Sequence, residues 1–354
     1  MFRLNVDGQS GREFANVEIR PNDSIYVFID ACLDVQNSAL PLTVEDIVEF
    51  ETNGVVQQVV LTADGQDVDR LHGTVIEADT EWNDGMPRQI FDSLVVAEGA
   101  RLTIGEGMKL YFHSGARLKV RGELQVKGTA EKPVEMTGDR FGLVATNVPY
   151  EIMSQQWGGI YFAPTAKPSR MEFAVVKNTD YGVQVDSVTT NGTNPALELI
   201  NCRLRNSGGR VLTTLHSNIT AIGCELAEGA YGVAWFQGGV INLLHCTLSN
   251  NYLFSAVTGP LITIQHANVT TDDESGLPYT ASRVNNCILW GNGGDLNMNE
   301  LDNTGVYVAN SILQAEGTDD EHFTSILWGC DPLFFTDRAS YYFCLLYTSP
   351  SPRD

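Results

Sequence analysis

The sequence predicts an all-β chain, most of it a right-handed single-stranded parallel β-helix with about 22 residues per coil, preceded by a small antiparallel β-sandwich-like segment. Three observations carry this. Short alternating apolar runs recur in threes, a four-residue template returns at a 22-residue spacing, and turns rich in Gly and Asn separate the runs. The composition permits such a fold, with 43% hydrophobic and 19% charged residues. There are 22 Lys+Arg against 44 Asp+Glu, a net charge of −22, which argues against nucleic acid or an anionic membrane as a partner held by charge. No apolar run approaches the roughly 18 residues of a membrane span.

In chain order, residues 1–66 read as the sandwich-like module. Val17-Glu18-Ile19 and residues 25–29, 46–50 and 55–61 alternate as strands do, with turns at Pro21-Asn22-Asp23 and Asn53-Gly54. Asn-Gly between two apolar runs signals a hairpin, because both residues accept the positive φ that a tight turn needs. Residues 67–90, with Asp, Gly, Pro87 and Trp82, are expected to be a connector. From Phe91 to about residue 335 the repeat takes over. Leu94-Val95-Val96, Leu102-Thr103-Ile104 and Leu110-Tyr111-Phe112 return as Leu118-Lys119-Val120, Leu124-Gln125-Val126 and Val134-Glu135-Met136. Downstream, Asn201-Cys202-Arg203-Leu204, Gly223-Cys224-Glu225-Leu226, His245-Cys246-Thr247-Leu248 and Asn286-Cys287-Ile288-Leu289 share one template, and Asn310-Ser311-Ile312-Leu313 continues it with Ser for Cys. Cys202, Cys224 and Cys246 should therefore lie on successive stacked coils. Interruptions of the period are expected at 137–157, 187–195 and 266–284.

Residues 344–354 (CLLYTSPSPRD) break this grammar. They back-translate to a transposase-type sequencing adaptor and read as an assembly scar, so the open frame is expected to have been cut near Phe343 and the N-terminus to be shortened too. Without the tail, six cysteines remain.

The repeat resembles right-handed parallel β-helix proteins of the pectate-lyase-like superfamily over about residues 91–335. Cys330-Asp331-Pro332-Leu333-Phe334 is similar to a segment near the end of many bacterial members. Residues 1–66 resemble the last strands of an immunoglobulin-like module of the kind that precedes larger domains in secreted bacterial proteins. The resemblance implies an exported protein of Bacteroidetes type, extracellular or at the outer-membrane surface, monomeric, and lipid-anchored through an upstream cysteine that is not Cys32. It does not select an activity, because this fold hosts lyases, hydrolases, adhesins and inert stalks.

A column of cysteines 22 residues apart makes a line and not a tetrahedral cage, so Cys202, Cys224 and Cys246 are expected to be small core fillers and no metal or cofactor is expected. Asn178, Asn206, Asn250 and Asn292 follow their strands by nearly constant offsets, as a ladder of turn residues would. Arg203, Arg205 and Arg210 with Glu225 and Glu228 read as a solvated surface patch. The acidic run Asp272-Asp273-Glu274 and the single Gly291-Asn292-Gly293-Gly294-Asp295 carry no assignment. His113, His216, His245 and His266 lack spaced partners. No acid and base constellation recurs on one face, so no catalytic residue is assigned. Tyr181, Tyr231 and Tyr252, with Trp235 beside them, fall just after equivalent strands and would form an aromatic row for sugar faces. The Gly208-Gly209 pair leaves a gap in that row. The expected function is a non-catalytic surface or secreted protein, a stalk or glycan-binding module whose partner is a polysaccharide or cell-surface glycan. The alternative is a lyase or hydrolase acting on uronic-acid-containing polysaccharides.

Overall fold

Parallel strands stacked coil upon coil make up most of the chain, which is an all-β parallel β-helix. The computed structural model describes residues 2–36, 38–39, 42–145, 148–192, 194–265, 282–296 and 305–332, with the backbone of strands Phe334–Asp337 and Tyr342–Leu345. Residues 266–281, which include most of the third expected interruption, and residues 346–354, most of the adaptor-like tail, lie outside the described residues. The chain divides into two units, Met1–Asp69 and Arg70–Asp354.

In the larger unit three parallel sheets share each coil. Sheet A runs from Lys109–Phe112 to Leu327–Trp328, and sheet B from Arg117–Val120 to Ile262–Gln265. The strand Arg88–Val96 serves both, its first residues pairing with Lys109–Phe112 and its last with Arg117–Val120, and Asp69–Ile76 pairs with it from the other side. Sheet C has ten strands from Thr80–Trp82 to Phe323–Thr324. One coil shows the plan: Ile219–Ile222 in C, Glu225–Gly229 in A, Ala234–Gln237 in B, then Ile241–Leu244 in C again, paired in register with the first. Alternate side chains point inward. Leu204, Leu226, Leu248, Leu289 and Leu313 stand opposite one another in sheet A and are all buried. This repeated burial, too small in any one coil to sustain it, drives the stacking.

The cysteines lie where the period predicts. Cys202, Cys224, Cys246 and Cys287 are buried free thiols, one per coil. The Cys202 amide donates to Cys224 Sγ at 3.4 Å, that of Cys246 to Cys287 Sγ at 3.4 Å, and that of Cys287 to Ser311 Oγ at 3.0 Å. The flanking thiols, and then burial, push the Cys224 thiol up. The template has a backbone cause: Asn201, Gly223, His245, Asn286 and Asn310, each just before the inward residue, have φ of 51°, 64°, 55°, 54° and 50°. The chain turns from sheet C to sheet A through one left-handed residue, which Asn and Gly accept most readily.

Residues 67–90 are not a connector. Asp69–Ile76, Thr80–Trp82 and the start of Arg88–Val96 are strands, and Ile76, Trp82 and Ile90 are buried in the core. One of the Asp residues that suggested a linker caps this first coil instead: Asp84 holds Arg88 at 2.6 Å, and the guanidinium lies 5.4 Å from the Trp82 ring centre. The expected break at 137–157 contains a short hairpin, Leu143–Ala145 with Val148–Pro149, and a single 3-10 turn, Tyr150–Ile152. It ends at Trp157, which returns to the core and stacks on Phe112 with ring centres 4.0 Å apart.

The smaller unit is antiparallel. Phe2–Val6 lies between Gln9–Gly11 and Val27–Ala31, and Leu42–Thr52 pairs with Val55–Gly65. Asn53 (φ 52°) and Gly54 (φ 78°) make the hairpin turn, and Asp7 (φ 47°) with Gly8 (φ 82°) make a second that the alternation did not reveal. Val17-Glu18-Ile19 is not a strand. Val6 and Val48 are the buried hydrophobic residues among those described in this unit.

Candidate functional site

A cleft of about 590 Å³ runs along the corner between sheets A and B of the larger unit. Tyr181 and Tyr231 stand on its rim, both more than half exposed, and Trp235 lies on its sheet-B wall. Three of the four aromatic residues singled out in the sequence are therefore together. The corner between the two tyrosines carries Gly208 and Gly209, and the Tyr231 amide donates to the Gly209 carbonyl at 3.2 Å. Two coil steps of about 4.8 Å separate the tyrosines, so their spacing along the axis is roughly 10 Å.

Sheet B supplies an outward row, Tyr161, Gln184, Thr213 and Trp235, whose members stand opposite one another on successive coils. Strand alternation keeps this row outside, while its neighbours Val183, Leu212 and Phe236 are buried. Arg117 reaches up from an earlier coil. Its guanidinium lies 5.0 Å from the Tyr161 ring centre and 5.9 Å from that of Tyr181, and it donates to Gln184 Oε1. Arg210 lies 5.8 Å from the Trp235 ring centre. These contacts hold the aromatic planes in place.

Gln155 closes the near end. It sits in the left-handed region (φ 62°), and a Cβ added to Gly208 would meet its Cγ at 2.4 Å. Gly208 is therefore required for the Gln155 side chain to lie over the corner. Asp180 brings a carboxyl group into the same cleft, pushed up by burial against the downward pull of Arg117. Burial disfavours the charge on Arg117 and on Arg210. On a protein of net charge −22, the cleft is lined by one cation, Arg210, and one carboxyl group, Asp180, with Arg117 against the Tyr181 ring.

Tyr252 stands apart from this cleft. Its hydroxyl is 2.6 Å from Ser154 Oγ, and its ring meets Phe254 edge-on at 5.7 Å. The cause is a widened corner: residues 251–260 are inserted there, and Gly259, not Tyr252, stacks against the Tyr231 backbone. The sequence missed Arg117, Gln155, Asp180 and Gln184. Only Asp180, next to Tyr181, left a local signal.

The Arg203, Arg205, Glu225 and Glu228 patch is less solvated than expected. Arg205 and Glu225 lie 3.8 Å apart with side chains 17% and 20% exposed, and Glu228 is 1% exposed. Two insertions pack beside this face of sheet A. Asn178 Nδ2 donates to the carbonyls of Glu151 and Met153 in the first, and the Asn251 amide of the second donates to Glu228. The turn ladder holds for Asn178, Asn206 and Asn250, but Gly291, not Asn292, stands opposite Asn250. Asp295 is buried and accepts from the Ala315 amide at 2.6 Å. His113 has an unforeseen partner in Asp139 at 2.8 Å. His266 and Asp272-Asp273-Glu274 lie outside the described residues. Among the described residues no group of three His, Cys, Asp or Glu is placed to hold a metal ion.

No family model and no curated protein matches the chain. The solved structure of Geobacillus virus E2 ORF18 is similar over 84% of this chain and 66% of that one, with 10% identity and a TM-score of 0.30. A likeness this loose carries no argument about function.

Proposed function

We propose that this protein is a non-catalytic surface or secreted β-helix protein that binds a glycan in the cleft between Tyr181 and Trp235. The observation that supports the reading most is the assembly of Tyr181, Tyr231 and Trp235 around the Gly208-Gly209 gap. Aromatic faces offer apolar area to sugar rings at little cost in side-chain entropy. Gln155, Gln184 and Thr213 line the cleft and offer hydrogen bonds to hydroxyls, and Arg210 offers charge to an acidic substituent. Export, an outer-surface location, a lipid anchor and kinship with pectate-lyase-like proteins of Bacteroidetes belong to the same proposal, and rest on the sequence resemblance.

The test is a glycan array probed with the full chain and with the triple variant Tyr181→Ala, Tyr231→Ala, Trp235→Ala, both checked for equal melting. We expect the triple variant to lose at least tenfold in affinity. Equal binding by the triple variant overturns the proposal.

One observation favours the lyase alternative. Asp180 lines the cleft with burial pushing its carboxyl toward the neutral form that a general acid needs, and the charge of Arg117, which lies against the Tyr181 ring, acts on it. Incubation with uronic-acid polysaccharides would then give unsaturated, ultraviolet-absorbing ends that Asp180→Asn and Arg117→Ala abolish. No new absorbance over a heat-killed control removes that alternative.

A further inference from the structure

Glu228 stands in a place that asparagine fills on other coils. Asn178, Asn206, Glu228, Asn250 and Gly291 occupy one column at the end of sheet A. The first three are left-handed, with φ of 67°, 58° and 63°, a conformation that strains a glutamate more than an asparagine. The carboxamides work as fasteners. Asn178 holds the first insertion by the carbonyls of Glu151 and Met153, and Asn250 donates to the Gly229 carbonyl and accepts from the Tyr252 amide. Glu228 accepts from the Asn251 amide through Oε1 at 3.0 Å. Its Oε2 has no hydrogen-bond partner among the described residues, although the residue is 1% exposed.

The charged surroundings do not neutralise it. Glu225, on the same strand, repels its charge, and Arg205 of the preceding coil attracts it while lying 3.8 Å from Glu225. Arg203 acts on Glu225, and Lys177 is paired with Glu151 of the first insertion at 2.6 Å. The next coil offers Thr247, Ser249 and Asn250, none of which titrates, and Tyr252 is the titratable group of the loop above. Burial pushes the Glu228 carboxyl up to about 7, Glu225 adds to this, and the Asn251 amide and Arg205 oppose it.

A continuous path leads from this carboxyl to the cleft. Glu228 holds Asn251, the next residue Tyr252 holds Ser154 through its hydroxyl at 2.6 Å, and the residue after Ser154 is Gln155, the near wall of the cleft. We propose that Glu228 is a proton-operated latch: protonated, it keeps the 251–260 loop clasped to the 154–155 wall of the cleft, and ionised, it releases both. An ionised carboxylate with one buried, unpartnered oxygen gains hydration when the loop above it moves. In the open form the group titrates as an ordinary glutamate, near 4.5. The closed form therefore binds the proton more tightly, its advantage is complete below about pH 4.5, and it is lost as pH rises to about 7. One linked proton changes the opening equilibrium by up to tenfold per pH unit in that window, about 300-fold in all.

The latch is tested without any glycan, so its failure leaves the proposed function standing. Amide hydrogen exchange of the full chain is followed at pH 5, 6, 7 and 8, corrected for intrinsic rates. We expect opening of peptides covering 250–256 and 150–156 to increase at least 30-fold from pH 5 to pH 7, with Ile219–Ile222 unchanged. Glu228→Gln, which keeps the shape and loses the titration, should give flat profiles in both peptides. Tyr252→Phe should keep the pH response of 250–256 and lose that of 150–156. A pH-independent wild type, or a Glu228→Gln profile that matches it, overturns the latch. An unchanged 150–156 response in Tyr252→Phe overturns the path to the cleft.

Discussion

The hairpin Leu42–Thr52/Val55–Gly65 and the coil between Ile219 and Gln237 are of similar length and similar alternation, yet they reach opposite ends of the burial scale. In the hairpin each strand pairs with its immediate neighbour in sequence, and Val55, Val56, Val59 and Val60 remain 62%, 54%, 48% and 62% exposed. In the coil Ile219, Ala221, Leu226, Ala234 and Phe236 are 0 to 1% exposed. Alternation supplies an apolar face in both. Only the coil meets a copy of that face above and below, and burial rather than strand formation decides where the stabilising free energy lies.

The sharpest way to break this contrast is at the core. Trp157→Ala removes a fully buried ring stacked on Phe112 and its indole bond to the Lys177 carbonyl at 2.8 Å. We expect a loss of about 3 to 5 kcal/mol in urea unfolding of the larger unit. Asn178→Ala comes next. It strands the Thr137 hydroxyl and two carbonyls of the first insertion, and places alanine at φ 67°. The expected cost is about 2 to 3 kcal/mol, with faster proteolysis within 143–156 as a second readout. Cys224→Ser should cost about 1 kcal/mol, because a buried hydroxyl must find a bond that a thiol can forgo. The slot tolerates it: Ser311 occupies the same place and donates to the Ala309 carbonyl two residues back at 2.7 Å, as Cys224 does to Ile222 at 3.4 Å. At the small end, Val56→Ala and Val60→Ala on the hairpin should each change stability by less than about 0.5 kcal/mol. A large loss there would mean that the hairpin's exposed face is covered in solution.

The same contrast explains what the sequence disclosed. Coils repeat, so Cys202, Cys224 and Cys246 announced the period, and Tyr181 and Tyr231 could be placed on one corner by counting. Counting failed where the period stretched. Tyr252 lies six residues after its cysteine and Tyr231 seven, and the 251–260 insertion carries Tyr252 away from the row. The first coil hides its strands because Asp84 looks like a linker residue when it holds Arg88, whose guanidinium lies over Trp82. Arg117 was invisible for another reason: it meets Gln184 from 67 residues away, a separation that carries no local pattern. The outer face of a repeat is free to vary from coil to coil, so chemistry placed there does not share the periodicity of the core.

The in-register joining of Ile219–Ile222 to Ile241–Leu244, and of Glu225 to Thr247, has a consequence for how this molecule can change its length. Each coil presents to the next the same edge that it received, so one further copy of residues 219–240 could be spliced in after Val240 with every pairing preserved. The axis would grow by about 4.8 Å. Removal or insertion of half a coil would instead set sheet A against sheet C and turn inward side chains to solvent. Growth of the gene is thereby restricted to whole turns, like the links of a chain, and the distance between the two ends of the stack becomes a quantity that duplication can adjust without redesigning a single contact.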